Sequence, residues 1–242
     1  MSGAGFHVAP RRSPDASLHG VVAILPVGST EAHGPHLPID TDVRIAVTMA
    51  ERAAARWGRP AMVLPSIPYG VTRFARNFPG TLSVSADTVT GMIADVLIAC
   101  HEAGAAGLAI ANAHFEPAHI AAIFAACARV EATIAVPVWF PNVGSRRNAA
   151  RLRAAVLDGH SGVYETSLML AIAPELVHGQ AFLPAVAASL ADGIAAGATC
   201  FEEAGGPSAY FGSPALATAA IGDALLDELA DMLIEASART HL

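Results

Sequence analysis

Apolar residues along this chain follow two rhythms: short unbroken runs, and longer stretches in which they return every three or four positions. Residues 21–25 are apolar throughout and bounded by Gly20 and Pro26, which suits a strand covered on both faces of a parallel sheet. Residues 43–57 carry the helical spacing, with Thr41 or Asp42 as the N-cap and Gly58 as the stop. A second short strand is expected at 62–64. Residues 65–85 hold Tyr69-Gly70, Arg73, Arg76 and Phe78-Pro79-Gly80-Thr81, too many turn formers for a regular element, and read as a long functional loop. Helical spacing resumes over 86–103, with Asp87 near its start, and a third strand is expected at 108–112. Pro117 then opens a helix over 117–130, where its missing N–H is harmless, and a fourth strand is expected at 133–139. This alternation predicts an α/β fold with a mostly parallel sheet and helices on both faces. With no internal repeat, low-complexity tail or linker, residues 1–242 are expected to form a single domain. Ligands in such sheets collect at the carboxyl ends of the strands.

Composition narrows the chemistry. At 53% hydrophobic over 242 residues, the chain is long enough for one large core. Its net charge of -7 disfavours a broad footprint for nucleic acid or an anionic membrane, leaving a small-molecule partner. All 14 basic residues are arginine. Without lysine there is no Schiff base, no phosphate-loop lysine, no Ser-Lys dyad and no carboxylated lysine between metals. Cys100, Cys127 and Cys200 sit far apart in alanine-rich contexts that suggest inert thiols on buried helix faces. The absence of Cys-x-x-Cys points to a reducing cytoplasm. Residues 1–14 contain Arg11-Arg12 but no following hydrophobic stretch, so no secretory signal is expected, and no uninterrupted apolar run reaches membrane-spanning length.

The chemistry-bearing side chains cluster at predicted strand ends. After the first strand come Glu31, His33, His36, Asp40 and Asp42; after the third come His114 and Glu116. Residues two apart in extended backbone share a face, so Glu31 and His33 can converge on one ion, as can His114 and Glu116. Gly34-Pro35 and Leu37-Pro38 stiffen the first segment. Imidazole and carboxylate without sulfur favour zinc, manganese or iron over calcium or magnesium. A carboxylate shared by two ions would trap a bridging hydroxide, the nucleophile of two-metal hydrolases. His7, His19, His101, His178 and His241 read as ordinary imidazoles.

A third constellation runs from Asp158-Gly159-His160-Ser161-Gly162 through Glu165, Thr166 and Ser167 into an apolar helix. His160 is the general acid/base candidate, yet the same residues also make a glycine-rich turn before a capped helix, and the segment alone does not separate the two. The second glycine falls one residue early for a Gly-x-Ser-x-Gly elbow, which weakens a serine hydrolase built on Ser161. Arg146, Arg147, Arg151 and Arg153 could fork a substrate carboxylate, although a solvated helix face or a subunit contact is the favoured reading. Arg73 and Arg76 invite the same caution, and Trp57 and Trp139 read as packing.

Residues 25–42, the Asn112-Ala113-His114-Phe115-Glu116 strand end, residues 159–167 and the later Gly212-Ser213-Pro214, Ala217-Thr218-Ala219 and Gly222 together resemble the creatininase (creatinine amidohydrolase) family. The motifs occur in order across nearly the whole chain. The resemblance implies a three-layer α/β/α fold, a homo-oligomer that is commonly a hexamer, and a two-ion centre that hydrolyses a carbon–nitrogen amide or cyclic amide bond in a small substrate. The ions would be Zn2+ and/or Mn2+, with Fe2+ as a further candidate. By resemblance, Glu31, Asp42 and His114 hold one ion and His33, Asp42 and Glu116 the other, Asp42 bridging. His160 carries the proton to the leaving nitrogen after attack by the bridging hydroxide, and Glu116 also ranks as catalytic. His36 and Glu165 are expected to support the ligands from outside. Val156 stands where creatininase has a tryptophan and Phe115 where it has a tyrosine, so the metal chemistry carries over better than creatinine as substrate. Other branches are deformylases and peptidases, which often have glycine and asparagine where this chain has Phe115-Glu116-Pro117. A binding protein that keeps the ions without turnover is the alternative from another class.

Overall fold

The unbroken apolar runs need cover on both sides, and the fold supplies it. The structure, a computed structural model, describes residues 7–8, 13–152 and 159–238. Arg11, Arg12, Arg153, Val156, Asp158 and His241 lie outside the described residues, as does the side chain of Arg146. Among the described residues four strands, β1 (Val22–Val27), β2 (Ala61–Val63), β3 (Gly107–Asn112) and β4 (Val138–Trp139), pair in the order β2-β1-β3-β4. Every pairing is parallel, with Val22 level with both Ala61 and Gly107, and Leu108 level with Val138. The helices are α1 (Thr41–Arg56), α2 (Ala86–Glu102), α3 (Pro117–Ile134), α4 (Arg146–Arg151), α5 (Val163–Ile172), α6 (Leu190–Ala195) and α7 (Ala219–Ala238).

Side chains alternate across the sheet as strand geometry requires. Val22 and Ile24 of β1 pack with Met49, Leu168 and Leu226 under the α1, α5 and α7 layer. Ala23 and Leu25 pack with Ile93 and Ile123 under α2 and α3. The result is the expected three-layer α/β/α architecture. Along the solvent edge of the first layer, Arg52 reaches Asp223 and Asp227, and Arg56 reaches Asp227 and Asp231, tying α1 to α7.

Element boundaries moved where hydrogen-bond accounting overrode the apolar pattern. Thr41 and Asp42 lie inside the first turn of α1 instead of capping it, and Asp40 holds the cap position without a capping bond. Thr41 Oγ1 donates to Pro38 O at 2.6 Å, while Asp42 accepts from Ser29 Oγ at 2.7 Å and faces the site. Helix α3 starts at Pro117 as expected but runs to Ile134. There Thr133 Oγ1 donates to Arg129 O, and left-handed Ala135 (φ 53°) donates its N–H to Glu131 O. The strand expected over 133–139 therefore shrinks to Val138–Trp139, beyond Pro137, which has no N–H to give a ladder. Cys100 and Cys127 are buried on α2 and α3 as expected, whereas buried Cys200 sits in a bend and not on a helix. Helix α3 is long and apolar enough to cross a membrane by length and composition alone. Here its His119, Ala122, Ile123 and Ala126 face is buried against the core.

Candidate metal centre

The chain leaving β1 must pass against the start of α1, and Gly28 permits it. A Cβ at Gly28 would stand 2.6 Å from Val43 N and 2.8 Å from Asp42 C. Close passage brings Ser29 to Asp42 and sets Glu31 and His33 beside the same carboxylate. His33 Nδ1 donates to Glu31 O at 3.1 Å, which aims Nε2 inward. His114, at the end of β3, donates from Nε2 to Val71 O at 2.8 Å, leaving Nδ1 for the site, and Asn112 Nδ2 holds the His114 carbonyl at 2.6 Å. Fixing one ring nitrogen so that the other can coordinate is the usual outer support of a metal-binding imidazole.

Asp42 presents one oxygen to each imidazole. Oδ2 is 3.1 Å from His114 Nδ1, and Oδ1 is 3.2 Å from His33 Nε2. Glu31 Oε1 lies 3.2 Å from His114 Nδ1, and Glu165 Oε2 lies 3.8 Å from His33 Nε2. Three donor triads result among the described residues, Glu31 with Asp42 and His114, His33 with Asp42 and Glu165, and Glu31 with His33 and His160, each with its donor atoms within 4.8 Å, and the first two share Asp42. Ligands about 2.0–2.1 Å from a tetrahedral ion stand ~3.3 Å apart, close to the shorter separations here. Fully buried His33 Nε2 makes no hydrogen bond among the described residues, an orphan that an ion between the donors would satisfy.

Charge gives the same answer. Burial works against every ionised group here, and the groups survive by countering one another. Burial presses His33 down, but Asp42 above all, then Glu165 and Glu31, hold it up at about 10. His114 is likewise raised against burial by Glu31 and Asp42. Glu31 and Asp42 are lowered in return, whereas burial, reinforced by Asp42, raises Glu165 despite the relief from His33. Protonated imidazoles thus supply the positive charge that buried carboxylates require, and divalent ions would supply more of it.

The structure brings Glu31, His33, Asp42 and His114 together, with Glu165 beside His33 and Glu116 at the cavity wall. Glu116 Oε2 accepts the backbone N–H groups of Arg73 at 2.7 Å and Phe74 at 3.2 Å, and belongs to none of these three groups. Burial raises its carboxyl. Glu165 lies beside His33, steadied by the N–H of Ser161 at 2.6 Å. His36 stays outside, 2.9 Å from Thr166 Oγ1, and burial followed by the His33 charge lowers it to about 4. Asp40 turns away to Arg44.

His160 Nε2 donates to Ala32 O at 2.8 Å, so Nδ1 faces Glu31 Oε1 and Glu165 Oε2 at 3.7 and 3.8 Å. Burial, then the His33 charge, lowers it to about 4, so its ring is neutral. Ser161 Oγ is buried with no hydrogen-bond partner among the described residues, hence without a described base of the kind a serine nucleophile needs. Arg151 is bound to Glu228 and Glu235 on α7, and Arg76 to Thr199, in line with a structural reading of both. Sequence reasoning passed over His119, Ser29 and Thr72. His119 accepts from Val71 N, holds Asn112 Oδ1 at 3.1 Å and lies 4.7 Å from the His114 ring. Its signal was the position three residues after Glu116, one turn into α3. Ser29 and Thr72 donate to Asp42 and Glu31, and short hydroxyl side chains in loops give no comparable cue. The donors open into a cavity of about 180 Å³.

Comparison with known proteins bears on the family and the fold. Residues 13–237 match the family model described as Creatininase: Creatinine amidohydrolase. The chain is 30% identical to a mycofactocin precursor peptide peptidase of Mycolicibacterium smegmatis over 90% of this chain and 85% of that protein. It is 32% identical to a creatinine amidohydrolase of Pseudomonas putida, over 64% of this chain and 66% of that one. Among solved structures, a mutant creatininase of the Zn-Zn type superposes with a TM-score of 0.72 at 23% identity, covering 96% of both chains. A creatininase described as the Mn form gives 0.69 at 24% identity over the same shares.

Proposed function

The chain belongs to the creatininase family of metal-dependent hydrolases acting on carbon–nitrogen bonds other than ordinary peptide bonds, and from that premise we propose that it hydrolyses an amide or cyclic amide in a small substrate at a two-ion centre. The single observation that carries this reading is Asp42, whose two oxygens each face a different imidazole nitrogen. Glu31, Asp42 and His114 would hold one ion, and His33, Asp42 and Glu165 the other. Zinc or manganese, with iron(II) as a further candidate, would acidify a water and polarise the amide carbonyl there.

The chain's own residues manage the protons. Glu116, pinned by the Arg73 and Phe74 amides at the cavity wall and raised by burial, accepts a proton from the attacking water. His160 is neutral and has Nε2–H committed to Ala32 O, so it takes up that proton from Glu116 at Nδ1 and releases it from the same atom to the departing nitrogen, which returns Glu116 to its carboxylate. A pure binding protein would have no use for this pair. Homo-oligomeric assembly, hexameric by family resemblance, and a cytoplasmic location belong to the same proposal. A second reading, in which the amide lies within a peptide, draws on the longer match to the peptide peptidase than to the creatinine amidohydrolase.

The test is elemental analysis of the purified protein, followed by assays on lactams, formamides and dipeptides before chelation, after it, and after return of Zn2+ or Mn2+. Activity that disappears and returns with the ion is expected. Hydrolysis untouched by chelation, or folded protein that takes up no metal, overturns the proposal.

A further inference from the structure

Above its ionisable floor the cavity is walled by carbon. Phe74 from the 65–85 loop, Phe115 at the end of β3, Phe201, and Leu190 with Ile194 of α6 make up most of that wall. Among the described residues lining it there is no arginine, amide or hydroxyl side chain except Tyr164. Phe201 is 4% exposed and stacks on His160, with ring centroids 4.5 Å apart and planes 27° apart. It is braced in turn by Phe74 at 6.1 Å and Phe211 at 5.8 Å, and its N–H is fixed to Phe74 O at 3.0 Å. Such bracing makes a preformed apolar surface against the proton-carrying imidazole.

Charge balance adds a second constraint. Glu31, Asp42, Glu116 and Glu165 together offset two divalent ions, so the loaded site has no surplus positive charge for an anion. Arg76 and Arg151 are engaged elsewhere. A substrate carboxylate entering here would lose its hydration and find no described partner, whereas an apolar group gains from leaving water.

We infer that the substrate is uncharged and carries an aromatic or branched aliphatic group next to the scissile carbon–nitrogen bond, seated against Phe201 and the Leu190–Ile194 side of α6. This rests on the two-ion amidohydrolase reading and specifies the substrate class of that same site.

The test uses metal-loaded enzyme and matched lactams bearing hydrogen, phenyl, isobutyl or carboxymethyl beside the carbonyl, together with the corresponding hydroxamates, which bind without turnover. The phenyl and isobutyl compounds are expected to exceed the hydrogen compound about tenfold or more in kcat/KM and in affinity, and the carboxymethyl compounds to fall below it. Phe201→Ala should cost the phenyl compounds more than the hydrogen ones. The inference is overturned if carboxymethyl compounds are preferred, if Arg73→Ala or Arg153→Ala selectively weakens them from such a preference, or if Phe201→Ala lowers all compounds equally. Loss of lactam turnover with the hydroxamate order intact would sink the amidohydrolase reading alone and leave the apolar subsite standing.

Discussion

Glu116 and Glu165 both border the cavity, yet their partners differ, and the difference can be measured. Glu165 shares a triad with His33 and Asp42, while Glu116 is held by two backbone amides. Glu165→Gln is expected to lower metal affinity at the His33 side, leaving substoichiometric metal by mass spectrometry. Glu116→Gln should keep its metal and lose turnover; the reverse pattern would return Glu116 to the ligand set. His160→Ala is expected to leave metal content unchanged and to reduce kcat by roughly 10²–10⁴, the usual contribution of a positioned acid/base. Metal loss in that variant would show that His160 is a ligand, in keeping with the looser grouping of Glu31, His33 and His160.

Among the elements, two glycines inside helices should respond to alanine with opposite signs. Gly222 of α7 lies directly on the backbone of Ser167 in α5, and an added Cβ would overlap the Ser167 carbonyl. Gly222→Ala must separate α5 from α7 and should destabilise by about 1–3 kcal/mol or more in urea unfolding. Gly91, within α2, has only Arg129 Nη1 at 3.8 Å from the position of its Cβ. Gly91→Ala should stabilise by about 0.5–1 kcal/mol through helix propensity. Equal effects would mean that α5 and α7 do not meet as closely as described.

For the molecule as a whole, the site links metal, protons and stability. His33 and His114 hold protons in the ion-free chain, and both must release them to coordinate. Metal uptake should therefore liberate on the order of two protons, and affinity should weaken as pH falls, as calorimetry in buffers of different ionisation enthalpy would show. Burial keeps His36, His119 and His160 neutral down to about 4, 3 and 4. In the unfolded chain each takes a proton near pH ~6.5, so the unfolded state binds more protons between that value and about 4. Stability of the chelated protein should therefore fall as pH drops through that window. Glu165, raised in the fold, opposes this by one group. His33, raised to about 10, adds stability that is complete below ~6.5 and is lost as pH climbs through 10. Thermal melts in chelator from pH 4 to 10 test both limbs; a flat profile below pH 6.5 would contradict the burial of these rings.

The amino-acid order alone determined the layered α/β plan, because unbroken apolar runs and helical spacing are local properties that leave few ways to bury the same surface. It also marked Glu31, His33, Asp42 and His114, since strand-end placement and a spacing of two residues bring their side chains toward one point. Tertiary structure alone decided which of the two glutamates lies against His33. Glu116 lies two residues from His114 and looks equivalent on paper, but the Arg73 and Phe74 amides, 43 and 42 residues away, bind it. Glu165 reaches His33 only because α5 packs against α1. Likewise, the carbonyls at Arg129 and Glu131 prolonged α3 through residues whose apolar character alone suggested a strand. Spacing along a chain limits what neighbours can do, whereas partners from distant segments are chosen by packing.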